Sequence, residues 1–210
     1  MANVAVIYYS STGNTYAVAE AIAAGARAAG SEVRLRKVRE LAPDEAIASN
    51  QGWEQHLKAT GHVEEATLGD LEWADAFAFG SPTRFGQAAA QLKQFVDTTG
   101  PLWQKGVLAN KAATAFTGAA SAHGGHETTI QGLYATFAHW GSIVVPLGYT
   151  IGTIFQTGNP HGSSYTDPRG GSLPPEVTAV AKWQGERLAR VADALVYARA
   201  TIAAPPTEGA

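Results

Sequence analysis

Apolar residues fall along the chain in five short runs, separated by stretches in which they recur every three or four positions. Val4 to Tyr9 is the first run, the pattern of a strand covered on both faces. A polar turn, Ser10 to Thr15, follows. An Ala-rich segment over about Thr15 to Ala29 then sets Val18, Ile22 and Ala26 on one face, with Gly30 as its stop. Glu32 to Val38 alternates and reads as a half-exposed strand near a sheet edge. Its basic side chains either discourage edge-to-edge pairing or, with Arg39, touch a phosphate. Residues 40–70 break the pattern. Pro43, Asn50, Gly52, His56 and Gly61 interrupt a mixed polar stretch that predicts an insertion, about 43–70, holding one short helix.

The alternation then resumes. Asp75 to Gly80 is a third strand, followed by a turn over Ser81 to Gly86 and a helix over Gln87 to Thr98. Lys111 to Thr117 is a fourth strand, and a glycine-rich loop runs on to Gly125. Glu127 to Trp140 is helical, with Ile130, Leu133, Tyr134 and Phe137 at helical spacing. Ile143 to Leu147 is the fifth strand. Residues 148–175 are rich in glycine and proline with little periodicity, a connection long enough to point to function. Glu176 to Ala200 is amphipathic through Val177, Val180, Leu188 and Leu195. Strands alternating with helices predict an α/β fold with a parallel sheet covered on both faces. A single domain is expected over 1–203, with a disordered tail at 204–210. The functional loops of such a sheet lie at the carboxyl ends of its strands, here 10–15, 81–86, 117–125 and 148–172.

Composition narrows the classes. At 45% hydrophobic residues the chain fills a core and is not disordered. A net charge of −3 argues against a broad nucleic-acid face. The absence of cysteine excludes disulfide scaffolds, thiolate metal sites and thiol catalysis. Only 16% of residues are charged, which hints at burial between subunits. The N-terminus lacks a basic n-region and no window reaches 18 apolar residues. A cytoplasmic protein without a membrane span is expected.

The strongest chemical signal is Ser10-Ser11-Thr12-Gly13-Asn14-Thr15 between the first strand and the first helix. Hydroxyls, a glycine and a helix N-terminus suit an anion, or else the segment is a Ser/Thr-rich cap with no ligand. It has no lysine, so it is not the triphosphate-binding loop, and it is not GxGxxG. A lone phosphate monoester fits best. His123-x-x-His126 has loose metal spacing but no third ligand nearby, so no metal is expected. There is no GxSxG elbow, and Asp70, Glu72 and Asp75 read as a solvated face.

The first loop resembles the FMN phosphate loop of flavodoxin-like proteins. With Ser81-Pro82-Thr83-Arg84-Phe85-Gly86, Thr99-Gly100-Pro101-Leu102-Trp103, and the stretch from Ala138-His139-Trp140-Gly141 to Val145-Pro146-Leu147-Gly148-Tyr149, the chain resembles the tryptophan-repressor-binding protein (WrbA) family of NAD(P)H:quinone oxidoreductases from about residue 3 to 200. That resemblance implies a flavodoxin-like, doubly wound five-stranded sheet in the order 2-1-3-4-5. It implies FMN as cofactor, NADH or NADPH as donor, a quinone as acceptor, and a homotetramer.

By the same resemblance, Ser10, Ser11, Thr12, Gly13, Asn14 and Thr15 hold the phosphate. Pro82, Thr83, Arg84 and Phe85 run along the isoalloxazine, where Arg84 favours negative charge on the reduced ring. Thr117, Gly118, Ala119, Ala120, Ser121 and Gly124 lie against ribityl and ring, in a run one residue longer than the family's. Trp103 and His139 are implied at the flavin face of their own or a neighbouring subunit, as catalytic neighbours. Several relatives carry an aromatic where this chain has Thr12, which cannot stack on nicotinamide. Two other classes share these features: an electron carrier, which a charge of −3 fits poorly, and a regulatory protein binding the tryptophan repressor, for which no motif stands out.

Overall fold

A computed structural model of the chain describes residues 1–167 and 172–198; the expected tail at 204–210 lies outside them. Five strands form a parallel sheet: β1 (Asn3–Tyr8), β2 (Glu32–Lys37), β3 (Ala76–Arg84), β5 (Ala112–Ala119) and β6 (Ile143–Val144), in the order β2-β1-β3-β5-β6. This is the doubly wound order 2-1-3-4-5 predicted for the five main strands. Two short strands join it off this path. β4 (Gln87–Ala88) pairs antiparallel with β3, and β7 (Ser164–Thr166) pairs parallel with β5.

Alternate residues of each strand face opposite layers, as the pleat requires. Val4, Val6 and Tyr8 of β1 face α1 (Asn14–Ala28) and α9 (Pro175–Ala198), with Val18, Ile22 and Leu188 in one core. Ala5 and Ile7 face the other layer, with Phe77, Phe79, Leu92, Phe95, Phe137 and Trp140. Its helices are α4 (Leu68–Trp73), α5 (Ala90–Asp97), α6 (Gly100–Gln104) and α7 (His126–His139). α1 and α9 cross at backbone contact. A Cβ on Gly25 would stand 1.8 Å from the Lys182 carbonyl oxygen, and one on Gly185 would stand 1.9 Å from that of Ile22.

The expectations fail at four places. Residues 40–70 contain more than one short helix: α2 (Asp44–Ala48) and α3 (Gln51–Ala59) lie within them, and α4 (Leu68–Trp73) begins there. The cause is local capping. The Asn50 side chain accepts from Trp53 N–H at 3.2 Å, and the Asp70 carboxylate accepts from Thr67 N–H at 2.9 Å.

Asp70 is not on a solvated face. It is buried, and it accepts from Arg34 and Arg36 at 3.2 Å each. Those arginines of β2 therefore clamp α4 rather than serve a phosphate. Ser81 to Arg84 does not turn away: β3 runs on to Arg84, reverses at Phe85 and Gly86, both at positive φ, and returns as β4. The helix expected from Gln87 therefore starts only at Ala90.

The fifth strand is split. Val145 N–H still bonds to Ala113 O, and the chain then leaves the sheet through α8 (Ile154–Thr157). It returns when Thr117 N–H bonds to Ser163 O. The buried Gln184 of α9 pins this return, accepting from Ser163 N–H at 2.9 Å and donating to Ala115 O at 2.8 Å. Among the described residues no helix is long and apolar enough to cross a membrane.

Candidate functional site

The carboxyl ends of β1, β3 and β5 open into a cavity of about 1130 Å3, slightly larger than the usual small-molecule site. Its first wall is Ser10 to Thr15. Gly13, at φ 103°, is the N-cap of α1 and offers no side-chain acceptor to the first turn. The first amides of a 15-residue helix thus lack an intrahelical partner and meet the cavity. Ser10 Oγ accepts from Gly13 N–H at 3.1 Å, which fixes the loop. No acidic or basic side chain stands within this loop, so an anion there is held by amides and hydroxyls.

The second wall is Pro82 to Phe85, on the β3–β4 hairpin. Thr129 Oγ1 donates to Thr83 Oγ1 at 2.9 Å, which ties the hairpin to α7. The Arg84 guanidinium reaches Ser11 Oγ at 3.5 Å and so spans from the hairpin towards the first loop. Phe85 is fully exposed at the tip. The third wall is Gly118 to Ser121 with Gly124. A Cβ on Gly124 would fall 2.6 Å from Ala119 Cβ, so a side chain there has no room.

Fifteen of the expected site residues come together here: Ser10, Ser11, Thr12, Gly13, Asn14, Thr15, Pro82, Thr83, Arg84, Phe85, Gly118, Ala119, Ala120, Ser121 and Gly124. Three do not line the cavity. Thr117 is fully buried behind it, and its hydroxyl donates to Ser81 O at 2.7 Å, a bond that joins β5 to β3. Trp103 and His139 lie against each other instead, with Trp103 Nε1–H donating to His139 O at 3.0 Å. Both are exposed on the outside of their own chain.

The cavity also holds residues that pattern reasoning passed over. Asn50, Gly52, Gln55, His56 and Ala59 come from α3 and its cap, and Asp167 from the end of β7. A polar stretch without strong periodicity gave no signal that these residues fold back over the first loop.

Glu40 anchors α3. Its carboxylate accepts from Trp53 Nε1 at 3.0 Å, Tyr9 Oη at 3.0 Å and Gln91 Nε2 at 2.8 Å, joining α3, β1 and α5. Burial pushes the Glu40 carboxyl up, but bonds from Ala42 N–H, Gln91, Leu41 N–H and Tyr9 outweigh it and hold it below the usual range. The same carboxylate helps drive the Tyr9 hydroxyl upward, after burial.

The arrangement suits FMN. The bare N-terminus of α1 and its hydroxyl loop match a phosphate monoester. The side-chain-free cradle at Gly118 and Gly124 and the exposed hairpin leave a broad slot beside it.

Residues 2–156 match the NADPH-dependent FMN reductase family model. The chain is 52% identical over 163 residues to a NAD(P)H dehydrogenase (quinone) of Deinococcus radiodurans, covering 77% of this chain and 82% of that one. It is 42% identical over 206 residues to the same-named protein of Aromatoleum aromaticum, covering 94% and 99%. Among solved structures, a flavodoxin, WrbA-like protein from Agrobacterium tumefaciens superposes with a TM-score of 0.68 at 26% identity, over 92% of this chain and 99% of that one.

Proposed function

Because the chain belongs to the NADPH-dependent FMN reductase family, we propose that it is an FMN-dependent NAD(P)H dehydrogenase of quinones. The observation that carries this reading is the open cavity at the carboxyl end of the sheet, with uncapped α1 amides at one end and the Arg84 hairpin along its side. When bound, FMN supplies the redox chemistry, taking hydride from NAD(P)H and giving two electrons to the quinone.

The protein's residues bind and orient. Ser10, Thr12 and Thr15 with the α1 amides hold the phosphate. Thr83 to Phe85 present backbone groups and the Arg84 charge to the ring, which favours the reduced, anionic state. Gly118 to Ser121 support the ribityl chain. The chain shows no dinucleotide fingerprint apart from this cavity, so donor and acceptor use the same space in turn.

Trp103 and His139 belong to the reading as groups that a neighbouring subunit's site receives in a homotetramer. What supports this is their exposure, their mutual contact and the low charged fraction of the chain. The cytoplasm, with its NAD(P)H supply, is the compartment this chemistry needs.

Steady-state oxidation of NADH and of NADPH with benzoquinone, with and without added FMN, tests the proposal. Turnover that depends on both FMN and quinone, with parallel double-reciprocal lines, is expected. Oxidation that ignores FMN would overturn the assignment, and intersecting lines would replace alternation with a ternary complex.

A further inference from the structure

Resting on the FMN reading, we propose that His56 of the α3 insertion helix is the cationic arm of the phosphate site. It charges as a phosphate monoester enters the Ser10–Thr15 loop, and so makes the site prefer phosphorylated over unphosphorylated flavin more strongly as pH falls.

His56 lines the main cavity, and its Nδ1 would stand 3.4 Å from a Cβ on Gly13, the glycine at the centre of the loop. The ring is held there by Tyr16 of α1, at 5.5 Å between centroids and 51° between planes. Tyr16 is itself fixed by donating to Glu20 at 2.7 Å. Among the described residues that line the cavity, His56 and Arg84 are the basic ones. Arg84 reaches the loop at Ser11 from the hairpin, while His56 stands at Gly13, at the centre of the loop, and is the one of the two whose charge changes near neutral pH.

The titratable groups that share a cavity or a ring contact with His56 are Lys37 of β2, Tyr8 of β1 and Tyr9 after it, Tyr16 of α1, Glu40 after β2, Glu65 after α3, Arg84 of the hairpin and Asp167 after β7. Lys37 donates to Thr60 O at 2.8 Å, and Glu40 is held by Tyr9, Trp53 and Gln91. Burial, and then the Lys37 charge, hold the imidazole below its usual value. The ring is therefore neutral in the free protein at neutral pH. A dianion beside it favours the charged form. Its pKa is then higher in the complex than in the free protein, so binding takes up a proton and tightens as pH falls through the value in the complex.

The test measures dissociation constants of FMN and of riboflavin by quenching of flavin fluorescence, from pH 8 to pH 6. The proteins are the full-length chain, His56→Gln and His56→Phe; the second keeps a ring against Tyr16. In the unaltered protein the preference for FMN over riboflavin should rise severalfold across this range, towards the limit of about tenfold that one unit of pKa difference sets once the pH is below both values. In both variants it should stay flat or fall, because the phosphate itself takes up a proton near pH 6. A flat preference in the unaltered protein, or an equal rise in either folded variant, would overturn the role of His56 and leave the FMN reading intact. Failure of the unaltered protein to bind FMN at any pH would overturn both.

Discussion

Two residue-level predictions concern opposite ends of the sheet's chemistry. Thr12 and Thr15 flank Gly13, and each hydroxyl lost beside a charged phosphate costs on the order of 1.5–3 kcal/mol. Thr12→Ala combined with Thr15→Ala should therefore weaken FMN binding at least about a hundredfold in a fluorescence titration, and an unchanged constant would put the phosphate elsewhere. Asp70 is a structural carboxylate. Burial raises it, but Thr67, Arg36 and Arg34 outweigh that and hold it below the usual carboxylate range. A depressed folded value means that its stabilisation is present above the unfolded value and lost as pH falls through the folded one. Asp70→Asn should cost about 3 kcal/mol at neutral pH, because Arg34 loses its carboxylate and Arg36 keeps only the exposed Glu64. Urea melts should show the gap between variant and parent closing below about pH 4.

Among elements, the α1–α9 crossing is the most sensitive contact. Gly185→Ala forces a methyl against the Ile22 carbonyl, which is backbone and cannot swing aside. Overpacking of this kind costs about 1–3 kcal/mol. The variant should melt several degrees lower while binding FMN with unchanged affinity, since neither helix face at the crossing lines the cavity.

The same scale explains what was legible in the sequence. Buried strands read clearly because β1, β3 and β5 are continuous apolar runs, and the first loop read clearly because its hydroxyls sit where a helix starts. The extension of β3 to Arg84 did not, since Ser81-Pro82-Thr83 carries turn residues and only its pairing with β5 and β4 keeps it extended. The contribution of α3 was hidden for a different reason. His56 reaches the loop because Glu40 gathers Tyr9, Trp53 and Gln91 from three separate segments, a contact that no local period encodes.

For the whole molecule, the question is whether one chain completes its site. Trp103 is 57% exposed and Phe85 is fully so, which leaves both available to a neighbouring subunit. Light scattering across a dilution series, with and without FMN, should report a tetramer. Closed symmetry is the default for such assemblies. Trp103→Ala and His139→Ala should lower quinone turnover while leaving the isolated chain's fold, followed by circular dichroism, unaltered. A fully active monomer at every dilution would mean that each chain builds its site alone.

The split edge strand carries a consequence for how such a chain can be edited. β6 pairs Ile143 and Val144 with Ala112 and Ala113 of β5, and β7 takes up the same edge again with Ser164 opposite Thr117. The three residues Val145 to Leu147 equal in number the three β5 positions that lie between, residues 114–116, and the piece after them closes on itself, Gly148 N–H bonding to Pro160 O at 2.8 Å. Residues 148–163 behave as a cassette spliced into a finished strand. Joining Leu147 directly to Ser164 should leave an uninterrupted edge and a folded sheet. The melting temperature should drop, because Ile154 no longer covers Val180. A chain that tolerates this cut records how a larger molecule grows from a smaller one, by lengthening a seam without disturbing the cloth on either side.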